Sequence, residues 1–120
     1  MNMKKVLIVF TVVFLTLISV SAEEKEIVGS WQLEAEEAPY EFQVGSALFY
    51  KSEQKLMLKL VFEYNEIDNI EVSQKDNTYQ FNVEIDYQNI PVILKLANGV
   101  LTGVAETPDG DVAVVMKDDK

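Results

Sequence analysis

Residues 79–87 read Tyr-Gln-Phe-Asn-Val-Glu-Ile-Asp-Tyr, an unbroken alternation of large apolar and polar side chains. Successive side chains of an extended strand point to opposite faces, so Tyr79, Phe81, Val83, Ile85 and Tyr87 make one apolar face. Gln80, Asn82, Glu84 and Asp86 make a wet one. A helix would gather apolar residues three and four apart on one side, a pattern these segments lack. The stretch reads as a half-buried antiparallel strand. The same rule runs through Leu56, Leu58, Leu60, Phe62 and Tyr64, and through Ile90, Val92, Leu94 and Leu96.

The segments align as an internal repeat. Strands open at Trp31, Leu56, Tyr79 and Leu101, spaced 25, 23 and 22 residues apart, and 11 residues after each opening stands Phe42, Ile67, Ile90 or Val112. Each unit is one hairpin plus a link, and regular spacing of this kind marks repeated supersecondary structure. The expected strands are 29–36, 41–50, 56–64, 69–74, 78–87, 90–97, 100–106 and 111–117. Turn chemistry separates them: Glu37 to Tyr40, Lys51 to Lys55, Lys75-Asp76-Asn77, Asn98-Gly99 and Pro108-Asp109-Gly110. Short links between sequential strands make a meander. Eight such strands are expected to close into an all-β up-and-down barrel, which removes exposed sheet edges. Between Ile67 and Ile70 the inward parity switches from odd to even, which predicts a bulge.

The chain of 120 residues begins with Lys4 and Lys5, an apolar run from Val6 to Val20, and the small-residue site Val20-Ser21-Ala22. That order predicts a secretory signal peptide over 1–22, cleaved after Ala22, and a β-barrel domain over 23–120 in the periplasm or outside the cell. The apolar run is shorter than the roughly 20 residues of a membrane-spanning helix, so membrane contact is expected only during export. Loss of Lys4 and Lys5 takes the formal charge from −10 to −12. Nucleic acid and anionic membrane both need a basic face, and neither is an expected partner. Histidine, arginine and cysteine are all absent. The commonest general base and the thiol nucleophile are missing together, so no enzyme activity and no cofactor are expected. Without disulfides, stability must come from a continuous apolar core.

Gly29-Ser30-Trp31-Gln32-Leu33 resembles the Gly-x-Trp opening of lipocalins and the similar start of intracellular fatty-acid-binding proteins. That resemblance implies a ligand-carrying barrel. Lipocalins usually pack a late arginine over this tryptophan, and fatty-acid-binding proteins hold the ligand carboxylate through a late arginine and tyrosine. This chain has no arginine, so neither feature carries over. Trp31 is expected instead to plug the closed end as core area, with Lys95 or Lys117 as candidates to lie over it. The whole chain after Ala22, through Ala38 to Phe49 and Leu101 to Val114, resembles a family of small secreted β-barrel proteins of Gram-negative bacteria. The second resemblance implies fold and export and no particular activity.

In a meander the loops alternate between the two ends of the barrel. The loops after the first, third, fifth and seventh expected strands carry Glu36, Glu37, Tyr40, Tyr64, Glu66, Asp68, Tyr87, Asp109 and Asp111, and no lysine. The opposite end receives Lys51, Lys55 and Lys75. Tyr40, Tyr64 and Tyr87 are therefore the candidate ligand-binding residues, since a phenol stacks on a flat or apolar ligand and offers a hydroxyl. Asp109 and Asp111 are weak candidates for calcium, which takes six to eight oxygen ligands. Adjacent Glu36 and Glu37 diverge on an extended chain and do not make an acid–base pair. The inward row Leu101, Gly103, Ala105, with Ala35, is small toward the acidic end, which allows a shallow pocket there.

The expected function is a non-catalytic exported barrel that binds a small apolar molecule or a saccharide at its acidic, tyrosine-rich rim. The alternative is a filled-core structural or protein-interaction module, monomeric or weakly dimeric through Met57, Val61 and Ile93. A calcium-binding β domain is a third reading.

Overall fold

A computed structural model describes residues 27–119. The expected signal segment, 1–22, lies outside the described residues. Strands β1 (Gly29–Glu34), β2 (Val44–Ser52), β3 (Lys55–Phe62), β4 (Glu66–Glu71), β5 (Ser73–Lys75), β6 (Thr78–Ile85), β7 (Gln88–Ala97), β8 (Val100–Thr107) and β9 (Gly110–Asp118) form one antiparallel sheet. Its order is β4-β3-β2-β1-β9-β8-β7-β6-β5, an up-and-down meander in which β1 also pairs with β9. The sheet curls until β4 and β5, consecutive in the chain, stand at its two ends. It is a nearly closed barrel.

Nine strands replace the expected eight because the strand placed at 69–74 changes partner midway. Glu71 still faces Met57 of β3, and the Val72 amide donates to the Leu56 carbonyl at 2.9 Å. One residue later, Ser73 pairs with Gln80 of β6. The chain thus crosses the closing seam at Val72, a buried residue. The bulge expected between Ile67 and Ile70 is present: Leu58 faces Ile70 and Leu60 faces Ile67, so three steps on β4 oppose two on β3. Asn69 takes a left-handed φ of 59° there, a region that asparagine tolerates better than most residues. The extra residue restores an inward side chain at both Ile67 and Ile70.

Two other strand boundaries differ from expectation for local reasons. The strand placed at 41–50 begins at Val44, because Tyr40–Phe42 form a 3-10 turn seeded by Pro39 at φ −53°. Proline has that φ built in and loses no hydrogen bond at the start of a helical turn. The strand placed at 78–87 ends at Ile85, and Asp86 and Tyr87, with φ of 51° and 65°, form a two-residue reversal into β7. Tyr87 therefore leaves the inward row and stands in solvent.

Inward rows from all sides supply the core, and the row from Tyr79 to Val83 is buried throughout. Packing is tightest at the end from which the repeats open. Phe49, Leu58, Tyr79, Leu94, Leu101 and Met116 there are at most 1% exposed. Each large side chain so removed from water contributes about 1.5–3 kcal/mol, which an open sheet with one apolar face would forfeit. Trp31 is buried at the same end, edge-on to Phe49 with ring centroids 6.4 Å apart. Its indole Nε1 donates to the Ile27 carbonyl at 2.8 Å, and buried Ile27 lies beside it. Lys95 and Lys117 do not cover the ring. They alternate with inward Leu94 and Met116 and so point outward.

Close approach of neighbouring strands requires glycine at two inward positions. A Cβ on Gly45 would stand 2.7 Å from both the Phe62 ring and the Val61 carbonyl oxygen, and one on Gly103 would overlap the Ile93 carbonyl oxygen. The obstacle at Gly103 is backbone, which cannot swing aside. Gly103→Ala is expected to lower the unfolding free energy by about 3 kcal/mol, the upper range for overpacking a tight core, as read from the urea midpoint. An unchanged midpoint would show that β8 can move off β7 without loss.

Candidate functional site

The loops between β1 and β2, β3 and β4, β6 and β7, and β8 and β9 share one end of the barrel. Packing is looser there. Phe42, Ile67, Ile85, Ala105 and Val112 are only partly buried against the core. A cavity of about 630 Å³ opens between three of these loops, lined in part by Glu37, Phe42, Asp86, Ile90, Pro108 and Asp111. Beneath it lies an apolar hollow of about 110 Å³, whose walls include Leu33, Ala35, Leu60, Val83, Ala105 and Val114. Ala38, Pro39, Phe42, Ile85, Ile90 and Val112 belong to both. The two spaces are therefore one funnel, polar at its lip and apolar at its floor.

Local sequence explains why a hollow exists at this end. Ala35, just after β1, and Ala105 of β8 are short inward residues, so the wall there leaves space that the leucines and phenylalanines of the other end fill. The 3-10 turn supplies a partial roof. The Phe42 amide donates to the Pro39 carbonyl at 2.8 Å, the Ala35 amide to the Gln43 carbonyl at 2.8 Å, and the Gln43 side chain to the Ala38 carbonyl at 3.0 Å. So braced, the turn points Phe42 inward against Phe62, edge to face with centroids 5.1 Å apart. Such aromatic pairs add about 0.5–1.5 kcal/mol beyond burial.

Tyr40, Tyr64 and Tyr87 all reach this end, but the structure does not bring them together in the funnel. They are 79%, 73% and 98% exposed, and none lines either cavity. Tyr40 and Phe42 share the short turn, and it is Phe42 that faces in. Tyr64 lies beyond the end of β3, and Tyr87 sits at a hairpin tip. Asp109 and Asp111 stand at the lip in a reversal closed by the Thr107 hydroxyl, which donates to the Gly110 carbonyl at 2.6 Å and accepts from the Asp109 amide at 3.2 Å. Glu66 and Asp68, two further acidic residues of this end, belong to β4, and their side chains engage Lys59 and Tyr50. Among the described residues no three acidic side chains converge on a point that would hold a metal ion.

Phe42, Ile90 and Val112 were visible in the sequence as the repeat positions 11 residues after Trp31, Tyr79 and Leu101. They read as a structural period. What was missing was that the opening residues form the packed end and the offset residues form the mouth.

On the outer wall near the bulge, the Tyr50 hydroxyl donates to Asp68 Oδ1 at 3.0 Å, and the Asn69 amide donates to the same oxygen at 2.7 Å. Lys59 pairs with Glu66 at 3.1 Å. The Asn69 amide, then the Tyr50 hydroxyl, hold the Asp68 carboxyl below the usual carboxylate range. The hydrogen bond to Asp68, aided by desolvation and the aspartate charge, pushes the Tyr50 phenol up.

No protein-family model matches the chain, and no curated protein does. Among solved structures the chain is similar to a redesigned β-barrel, with a TM-score of 0.58 and 15% identity, over 80% of this chain and 94% of that one. At that identity the likeness shows the fold alone: an antiparallel β-barrel. It reaches no lipocalin assignment, and the Gly29-Ser30-Trp31 resemblance stands on those residues.

Two outcomes are expected at these positions. Tyr87→Gly should raise stability by about 0.5–1 kcal/mol in urea titration, because glycine occupies a left-handed φ without the Cβ clash. A loss of stability would mean that Tyr87 makes a compensating contact. By ultraviolet or NMR titration, Tyr50 should ionise at a pH above its ordinary value, and Asp68→Asn should bring it back toward that value. The sign follows from linkage: a raised phenol pKa contributes stability at pH below its unfolded value and loses it as pH rises through the folded one. Asp68, with a lowered pKa, contributes above its unfolded value and loses that contribution as pH falls through the folded one.

Proposed function

We propose that the protein is an exported, non-catalytic β-barrel that binds a small apolar molecule at its acidic rim. The body of the ligand enters the funnel floor, and Tyr40, Tyr64 and Tyr87 flank the approach from outside. The observation that carries this reading is the continuity of the lip cavity with the apolar hollow through Phe42, Ile85, Ile90 and Val112. An apolar hollow that opens into a wider polar cleft can take the apolar part of a small molecule below and its polar end above.

The lining favours an apolar ligand over a saccharide. A sugar needs several hydrogen-bonding groups pointing inward, and Thr107 is the one polar residue on the hollow's wall. Among the described residues the buried core is apolar apart from the Tyr79 phenol and the Trp31 indole N–H.

A filled-core interaction module is the second reading, favoured by the solid packing from Trp31 to Met116. Val61 is exposed on the outer wall, and Met57 and Ile93 are half-buried there, which offers it a modest apolar contact surface.

Mass spectrometry of small molecules retained by protein from its natural compartment should identify an apolar ligand. Ala105→Trp, which fills the hollow, should abolish its retention while circular dichroism stays that of a β-barrel. Undiminished retention by that variant would overturn the funnel as the site and favour the outer surfaces.

A further inference from the structure

The lip of the funnel carries carboxylates without cations. Glu37, Glu41, Asp86, Asp109 and Asp111 line the outer cavity, and no lysine lines it or the hollow beneath. The ion pairs of the described residues lie elsewhere, Lys55 with Glu71 and Lys59 with Glu66 on the outer face of β3 and β4. Lys51, Lys55 and Lys75 flank the turns of the opposite end. None of the five carboxylates is engaged by a donor side chain among the described residues. A ligand reaching the apolar floor must therefore seat its outer end within a negatively charged collar.

Resting on the binding reading above, we infer that the funnel selects a small amphiphilic cation: a short apolar body carrying a primary, secondary or quaternary amine. The tip of the apolar part enters the hollow beneath Phe42 and the rest lies against Ile85, Ile90 and Val112 in the wider cavity above it, while the ammonium stays at the lip, half in water. That position matters. A cation buried on the floor would lose its hydration with no carboxylate beside it, whereas at the lip it keeps water and gains the collar. An anionic head of the same shape meets repulsion from every side, so fatty acids and alkyl sulfates are rejected. A neutral head is tolerated, gaining the apolar contacts alone. Because the lip is wet, the charge selection is screened by salt, whereas the apolar contribution is not.

Three probes with one tail and different heads separate the two contributions: octyltrimethylammonium, octyl glucoside and octyl sulfate, titrated calorimetrically below their micellar concentrations. Octyltrimethylammonium should bind about tenfold more tightly than octyl glucoside at low salt, with octyl sulfate weakest, and added sodium chloride should narrow the gap. The double substitution Glu41→Gln, Asp111→Asn should weaken octyltrimethylammonium several-fold and octyl glucoside much less, because the neutral head loses no charge attraction. Equal affinity for the ammonium and the sulfate, or an ammonium affinity indifferent to that double substitution, would overturn the charge selection while leaving the apolar site standing. Failure of all three probes to bind would overturn the site together with its selectivity. Binding of all three that survives Ala105→Trp would place them outside the funnel and overturn both as well.

Discussion

The barrel depends on one strand that changes partner at Val72. A sheet whose inner face carries Trp31, Phe49, Leu58, Tyr79, Phe81 and Leu94 cannot stay open in water, since each of these side chains would be exposed on an unclosed sheet. Closure needs the first hairpin to meet the last, which the β1–β9 ladder achieves, and the second to meet the third, which the chain achieves by ladder-pairing β4 with β3 and β5 with β6 along nearly continuous backbone. The bulge at Asp68 and Asn69 makes this geometry available by bending β4, and the hydrogen bonds from Tyr50 and the Asn69 amide to Asp68 pin the bend from outside. Beyond Gln80, the edge of β6 facing β4 has no ladder partner among the described residues, which is why the barrel is nearly and not fully closed.

The inner volume is divided unequally by the same closure. At the end where the repeats open, Phe49, Leu58, Tyr79, Leu94, Leu101 and Met116 meet from opposite walls and are almost wholly buried. At the other end the walls carry Ala35, Ala105 and Val112, and the roof is a single ring, Phe42, held by a proline-started turn. Gly103 and Gly45 do not enlarge the hollow, because each is filled by a neighbouring strand or ring that approaches where a Cβ would be. Small inward residues thus serve two purposes in this barrel, close strand contact at the glycines and open space at the alanines.

Charge is sorted along the same axis. The meander sends every second loop to the mouth, and those loops hold the acidic turns, whereas Lys51, Lys55 and Lys75 border the opposite turns. A ligand that fits the funnel therefore meets an apolar floor and an acidic lip in series, and its chemistry must match both.

Much of this was legible in the residues. Alternation with a period of two placed the strands, the repeated spacing gave four hairpins, and the parity switch at Ile67 and Ile70 announced the bulge, because side-chain direction in a strand is a local property. Turn chemistry was legible where glycine, asparagine or proline carried it. It failed at Asp86-Tyr87, where a tyrosine takes a left-handed φ that nothing in the sequence signals. By itself the sequence determined which residues face inward, that the sheet must close, and that the two ends differ in charge. The tertiary structure alone decided that one strand serves two partners, that the rim tyrosines stand outside the mouth, and that Phe42, Ile90 and Val112 surround a hollow. Those are relations between strands far apart in the chain, set by how volumes meet across the barrel, and no local pattern encodes them.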